Sequence, residues 1–358
     1  MIRSLLIFFI ISTAFQGPFA RAQIRTPKYS NEFLAIGVGA RAFGMGHAMT
    51  SISNGVSSTY WNPAGLLDIE EKYAASLMHA SWFGGIANYD YAGFATPIDS
   101  NSHLGISLVR MGVDDIPDTR FLYDANGALN YDNIRFFSAA DYAFFISYAR
   151  KIPSIPKLRL GGNIKVIYRN VGNFANAWGF GLDVSAIYKT NGWNFALMVR
   201  DVSGTFNVWT HNSSLLADIY AQTDNVIPET SIELTLPKTI LGVSKSWRFA
   251  EKYGVLLAMD AILTFDGKRN TLLPSDFASV DPSFGLELDY LEKGFLRFGL
   301  GDFQEIKKLG GGTEMTMQPN FGIGVAFKNI RIDYALTNVG ELSESLYSHI
   351  FSINLGFN

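Results

Sequence analysis

The chain has 358 residues, of which 17% are charged, 14% are aromatic and none is cysteine. Lysine and arginine total 29 against 32 acidic residues, which argues against nucleic acid as the main partner, because neutralising phosphates requires an excess of basic residues. The absence of cysteine excludes a disulfide framework, a thiolate metal site and a cysteine nucleophile.

The first 22 residues have the pattern of a secretory signal peptide. Arg3 supplies a positive charge, residues 5–15 form an apolar run, and Ala20-Arg21-Ala22 is an A-x-A cleavage site. An apolar run of about 11 residues is too short to cross a bilayer as a helix, which needs about 20. We therefore predict that residues 1–22 are a signal peptide and that the exported chain begins at Gln23.

Residues 23–72 show no strand-like alternation and are typical of short helices and turns. They contain the string GVGARAFGMG, in which Gly37, Gly39 and Ala42 fit the dinucleotide-binding pattern G-x-G-x-x-A. Such a site also needs a βαβ unit and an acidic residue about 20 positions later, and residues 57–64 contain no acid. We therefore predict that these glycines allow close backbone packing and do not bind a nucleotide.

From Tyr73 onward, apolar and polar residues alternate with the period of a β-strand. In the clearest run, six apolar residues from Trp178 to Tyr188 share one face, and Asn191-Gly192 then predicts a two-residue hairpin. Such runs match the 9–11 residues of a transmembrane strand and exceed the mean soluble strand of about 5–6. Fourteen runs occur, near residues 73–82, 86–96, 102–112, 134–149, 158–170, 177–189, 192–202, 237–247, 252–264, 283–291, 295–301, 318–327, 330–338 and 347–357.

An even number of long strands in an exported chain predicts an all-β fold, a 14-stranded antiparallel transmembrane β-barrel over residues 73–358. Short links follow the even-numbered strands, and long links follow strands three, seven, nine and eleven. The first and fifth strands do not fit this alternation, because the links that follow them are also short. Short turns face the periplasm in outer-membrane barrels, which places both termini there. The long outer links lie near residues 113–133, 203–236, 265–282 and 302–317.

The segment ahead of the barrel carries apolar side chains that need burial. We therefore predict that residues 23–72 form a hatch that plugs the lumen; the alternative is a tail outside the barrel. Arg159, Lys165 and Arg169 share the polar face of one strand and are candidate lumen-lining residues that would favour anions. Alternatively, they bond to the hatch backbone or to acids such as Asp183.

The remaining side chains predict membrane anchoring and no chemistry. The aromatic residues expected to form interfacial girdles are Tyr89, Tyr91, Trp178, Tyr188 and Trp193. The histidines at positions 47, 79, 103, 211 and 349 have no metal-ligand spacing, and no G-x-S-x-G string occurs. We expect neither enzyme activity nor a cofactor or metal site.

The N-terminal segment resembles a known family. Its G-A-R-A-x-G-M-G core at Gly39–Gly46 and its W-N-P-A-G string at Trp61–Gly65 are similar to the opening of the PorV/PorQ outer-membrane proteins, found chiefly in Bacteroidetes. A V-D-D-I-P-D-T loop at Val113–Thr119 strengthens the likeness. The resemblance extends more distantly to FadL-type transporters, which are 14-stranded barrels with an N-terminal hatch.

This resemblance implies a FadL-like barrel in the outer membrane, in contact with its lipid. It also implies a role in type IX secretion, with secretion-system proteins or exported cargo as partners of the long outer loops. The alternative is a FadL-like transporter of a hydrophobic small molecule, and a third reading is a structural barrel that binds another outer-membrane protein. The motif residues expected to pack the hatch are Gly39, Gly44, Gly46, Trp61, Asn62, Pro63 and Gly65.

Overall fold

The computed structural model describes residues 30–124, 126–222, 230–308, 310–337 and 348–358, most of which belong to one antiparallel sheet. The sheet segments are β1 (Tyr73–Trp82), β2 (Ala87–Asp99), β3 (Ser102–Asp118), β4 (Arg135–Lys151), β5 (Leu158–Val171), β6 (Ala175–Thr190), β7 (Trp193–Arg200), β8 (Thr205–His211), β9 (Thr230–Thr235), β10 (Lys238–Phe249), β11 (Tyr253–Thr264), β12 (Ser279–Tyr290), β13 (Gly294–Lys307), β14 (Thr313–Phe327), β15 (Ile330–Thr337) and β16 (Ser348–Phe357).

The sheet closes into a barrel because its first and last strands pair, with Tyr73 opposite Phe357. Two wall strands are each broken into two segments, so 16 segments build a 14-stranded wall. β7 and β8 follow each other along β6, while β9 and β10 follow each other on the next strand. The predicted 14-stranded antiparallel barrel is therefore confirmed.

The breaks correct one sequence prediction. Residues 203–236 were expected to form a single long loop, but they contain β8, β9 and a helix. The outer part of β6, from Ala175 to Phe180, needs hydrogen-bond partners that β7 is too short to supply, and β8 pairs with it. Backbone groups left without hydrogen-bond partners are costly in an apolar environment, which explains why the wall continues past the breaks at 201–204 and 236–237.

The helices are short. They are α1 (Ala40–Gly44), α2 (Ser58–Trp61) and α3 (Ser213–Gln222), with 3-10 turns at Glu32–Ala35, Pro63–Asp68, Phe83–Gly85 and Tyr131–Asn133. Among the described residues, no helix is long and apolar enough to cross a membrane. Helices of four or five residues do not form alone in water, so α1 and α2 depend on their packing against the barrel.

The two edges of the barrel differ. One edge, the short-turn end, has two-residue turns between β2 and β3, β6 and β7, and β14 and β15. The opposite edge, the long-loop end, carries the links that follow β3, β8 and β11. β3 extends to Asp118, so the first long loop begins later than residue 113.

Outward-facing side chains form an apolar belt around the wall. Ile106, Phe298 and Ile353, on three well-separated strands, are between 40% and 51% exposed, as expected for side chains that face lipid. Aromatic side chains mark the belt at the short-turn end, where Trp193 and Tyr253 point outward. Tyr188 and Trp178 also point outward, in agreement with the predicted girdles.

The girdle prediction was wrong for Tyr89 and Tyr91. Both side chains point into the barrel and are at most 2% exposed. Both faces of β2 carry apolar or aromatic residues, because the inner face packs on the hatch. The hydrophobicity pattern alone therefore could not predict whether these two side chains point into the barrel or away from it.

Candidate functional site

Residues 30–72, here called the hatch, lie inside the barrel. Ser30, the first described residue, contacts β8 and β9 in the half of the lumen nearer the long-loop end. Asp68 lies near the short-turn end, where it bonds to Arg159 and Lys189. The hatch therefore runs from one half of the lumen to the other, and the N-terminus, which was expected at the short-turn end, lies outside the described residues. The predicted signal peptide, residues 1–22, lies outside the described residues.

The start of the hatch is held by side-chain hydrogen bonds to the wall. The Asn31 amide donates to Thr235 Oγ1 at 2.9 Å, and the Asn207 amide donates to Ser30 Oγ at 2.6 Å. The Ser30 hydroxyl in turn donates to Glu233 at 2.8 Å. These contacts join the hatch to the wall segments β8 and β9, which the sequence had placed in a loop.

An aromatic layer fills the middle of the lumen. The His47 ring stacks on Trp61 with centroids 5.8 Å apart, and Phe43 meets His47 edge-on at 4.9 Å. Tyr60 packs edge-on against Trp61 at 4.9 Å and against Phe145 of the wall at 6.1 Å. Aromatic pairs at these separations add to the free energy gained from burial, so the layer is a cohesive apolar core.

A few polar atoms interrupt this layer. His47 Nε2, Trp82 Nε1 and Tyr89 Oη are buried and have no hydrogen-bond partner among the described residues. Burial lowers the pKa of His47, which lies in the hatch and outside the membrane-spanning strands, so its imidazole is neutral near pH 7. An apolar lining with a few isolated polar groups is typical of sites for small apolar molecules.

An ion network, here called the latch, ties α1 to the wall. Both Arg41 Nε and Arg41 Nη2 donate to the Glu287 carboxylate at 2.8 Å. Arg297 donates to the same carboxylate at 2.6 Å and pairs with Asp333 at 2.9 Å. Arg331 completes the network. Because the Arg41–Glu287 pair is bidentate and buried, it fixes the orientation of α1 as well as its position.

Backbone groups of the hatch are also held by side chains of the wall. Asp260 accepts from the backbone amides of Met49 and Thr50, at 2.9 and 2.8 Å. The amide of Ala40 donates to Ser352 Oγ at 3.1 Å. Buried polar backbone groups need such partners, so these wall residues stabilise the non-regular parts of the hatch.

The glycines of the hatch motif allow close approach to the wall. Gly46 has φ +59°, and a Cβ there would lie 2.7 Å from the backbone nitrogen of Leu300. A Cβ on Gly44 would lie 3.0 Å from the Gly322 Cα atom. Gly39 has room for a Cβ but has φ +87°, which favours glycine.

The W-N-P-A-G part of the motif, Trp61–Gly65, forms the end of α2 and the start of the turn that follows it. Trp61 Nε1 donates to the carbonyl of Val38 at 2.8 Å, and Asn62 caps the following turn by accepting from Ala64 N at 3.1 Å. Pro63 lies at the first position of that turn, where its missing N–H costs nothing. A Cβ on Gly65 would overlap the carbonyl oxygen of Ser53.

The three candidate lumen-lining cations all point inward, and each has an acidic partner. Arg159 pairs with Asp68 of the hatch, and Arg169 pairs with Asp141 and Glu233. Lys165 is buried between Asp183 and Asp201, at the break between β7 and β8. The structure thus places them in three separate ion clusters and does not gather them into one anion-selective surface.

Sequence reasoning missed the latch and Asp260. Glu287 and Arg297 are direct cross-strand partners, and both occupy inward positions in the alternation of their strands. Charged residues at paired inward positions are a signal that could have been read once the strand register was known. The partner of Glu287 in the hatch, Arg41, lies 246 residues away and could not be found from the pattern.

Two cavities border the hatch. One of about 220 Å³ lies beside Arg41 and Arg331, towards the short-turn end, and one of about 30 Å³ lies beside Tyr60 and Phe145. Small-molecule sites commonly measure about 300–1,000 Å³. Both cavities are smaller than that.

No protein-family model and no curated protein sequence matches the chain.

Several solved structures are similar to this chain. The toluene transporter TbuX of Ralstonia pickettii is 13% identical with a TM-score of 0.53, over 90% of this chain and 99% of that one. The fold is FadL-like. A monoaromatic hydrocarbon channel, CymD, is 12% identical with a TM-score of 0.57, over 90% and 98%. A Pseudomonas aeruginosa FadL homologue is 11% identical with a TM-score of 0.51, over 90% and 98% of the two chains.

Proposed function

We propose that this FadL-like barrel resides in the outer membrane and admits a hydrophobic small molecule, with the hatch as its gate. The observation that carries the proposal is the aromatic layer around His47 and Trp61, which fills the lumen with apolar surface. The proposal assigns residues 73–358 to the wall, 23–72 to the gate and 1–22 to a signal peptide removed on export.

The physical logic is a balance of apolar and polar contacts. An apolar solute can replace aromatic contacts inside the lumen without leaving buried charges unpaired. The latch at Arg41 and Glu287, together with the hydrogen bonds from the hatch backbone to Asp260, holds the hatch closed in the absence of solute. Two proteins of similar fold are a toluene transporter and a monoaromatic hydrocarbon channel, which supports this class of solute.

Uptake by whole cells tests the proposal. A host that lacks the protein is made to produce the full chain, and the initial uptake of radiolabelled toluene is compared with that of a small sugar. We expect faster toluene uptake than in cells without the protein, and unchanged sugar uptake. Equal toluene uptake in both strains, with the barrel correctly inserted, would contradict the proposal.

A second candidate function is a component of type IX protein secretion. The observation that favours it is the likeness of Gly39–Gly46 and Trp61–Gly65 to the PorV/PorQ opening. In that case the long-loop end would contact exported proteins or another secretion component. Deleting the gene should then change the set of surface-exposed and released proteins, and an unchanged set would rule this function out.

A further inference from the structure

A groove of about 610 Å³ crosses the outer face of five neighbouring strands, β10 to β14. Its lower edge, the one nearer the short-turn end, is one cross-strand row of side chains: Lys245, Leu257, Leu286, Phe298 and Phe321. Its upper edge is the next outward row, from Val243 to Pro319. The residues of the row between them point inward or, at Gly285 and Gly299, have no side chain, so the backbone forms the floor.

The groove begins at the short-turn end with its one charged group. Lys245 faces outward, and its Nζ donates to the carbonyl of Asn191 at 2.7 Å, in the turn between β6 and β7. The same nitrogen lies 5.1 Å from the centre of the Trp193 ring, and Trp247 lines the groove nearby. An ammonium group carries three N–H donors, so two remain for another acceptor. Tryptophan beside lysine is typical of the level of lipid headgroups.

From Lys245 the groove runs across the apolar belt. Lys245 lies four residues before the end of β10 at Phe249, whereas Phe321 lies six residues before the end of β14 at Phe327. The row therefore lies four residues from the short-turn end on β10 to β13 and six residues from it on β14. Four inter-strand spacings of about 4.8 Å give a length of about 19 Å. One leaflet of the hydrocarbon core is about 15 Å thick, so a groove of about 19 Å is long enough to hold one acyl chain.

We propose that this groove binds a glycerophospholipid, with one acyl chain along β10 to β14 and the phosphate on Lys245. The charge at the lower end complements an anionic phosphate, and the purely apolar upper end complements the chain. The inference rests on the membrane location proposed above, but it does not depend on what the lumen transports.

The site lies directly behind the hatch. On the inner side of the same wall, a Cβ on Gly285 would lie 2.7 Å from Met45, and a Cβ on Gly299 would overlap the backbone of Gly46. The wall between groove and hatch is thus a single backbone layer. A bound acyl chain packs against the outer side of the strands whose inner side seats the hatch.

Native mass spectrometry tests the groove. The full chain is inserted into vesicles of dioleoylphosphatidylglycerol, extracted in mild detergent and weighed with its retained lipid. We expect one retained phospholipid on the wild type, about fivefold lower occupancy for Lys245→Gln, as one lysine–phosphate contact predicts, and none for Leu286→Trp, whose ring fills the groove. Arg150→Gln is the matched control, because Arg150 is an exposed cation near the short-turn end of β4. It should retain lipid like the wild type.

Two results would overturn the proposal. One is a wild-type barrel that inserts into the vesicles but retains no phospholipid, or loses it equally in all three variants. The other comes from a photo-crosslinking residue placed at Met259 on the upper edge. Lipid adducts support the proposal, whereas adducts with protein alone contradict it. Neither readout measures solute transport, so failure here is separate from failure of the proposed function.

Discussion

Replacing Gly299 by valine is expected to unseat the hatch. A Cβ at this position would overlap the backbone nitrogen of Gly46, and backbone atoms cannot give way as a flexible side chain can. Overpacking of this kind costs about 3 kcal/mol, so the free energy of unfolding should fall by about that amount. Urea unfolding of the purified barrel in lipid vesicles, followed by tryptophan fluorescence, measures the change.

Gly294→Val is the matched control on the same strand. Nothing lies within 4 Å of a Cβ built on Gly294, so its free energy of unfolding should change by about 0.5 kcal/mol or less. The claim that the hatch packs directly on Gly299 would be refuted if both variants lost the same stability. It would also be refuted if Gly299→Val folded with wild-type stability.

Replacing Arg41 by alanine is expected to release the latch. Arg41 supplies two charge-assisted hydrogen bonds to Glu287, whose side chain is 8% exposed. Removing one partner of a buried pair costs about 3–5 kcal/mol. We place this change near the lower end of that range, because Arg297 and Arg331 still contact Glu287. With the hatch less firmly held, single-barrel recordings in planar bilayers should show more frequent and longer ion-conducting openings than the wild type.

Arg248→Ala separates this effect from a general loss of charge. Arg248 is 39% exposed and pairs with Glu292 at 2.6 Å near the short-turn end. Exposed pairs contribute about 1 kcal/mol or less, so this variant should retain wild-type stability and conductance. If Arg41→Ala and Arg248→Ala conducted equally rarely, the latch would not be what keeps the hatch closed.

The wall could be predicted from the sequence because strand alternation is a local signal. Fourteen alternating runs predicted the strand number, and the boundaries of β1 and β11 agree with the structure to within one residue. The direction of Tyr89 and Tyr91 could not be read, because a plugged barrel is apolar on both faces of β2. The breaks in the wall were not predicted either, since β8 and β9 are short and exist as strands only because β8 pairs with β6 and β9 pairs with β8.

The hatch was only partly accessible from sequence. Its glycines indicated close packing, but the wall atoms that they meet, such as Leu300 N and the Gly322 Cα atom, are more than 250 residues away. Separations of 246 and 211 residues likewise hid Glu287, the partner of Arg41, and Asp260, the partner of the Met49 amide. Long-range contacts of this kind depend on strand register and barrel closure, which no local pattern encodes.

The central claim is that solute passes only when the hatch moves. Tethering the hatch to the wall tests it most directly, in a double variant with Ala40→Cys and Ser352→Cys. The backbone amide of Ala40 lies 3.1 Å from Ser352 Oγ, and the chain has no other cysteine, so mass spectrometry can verify a single disulfide. We predict that toluene uptake stops in the oxidised double variant and returns after reduction, while each single variant is insensitive to reductant. Equal uptake by the oxidised and reduced double variant would contradict a hatch that gates the barrel.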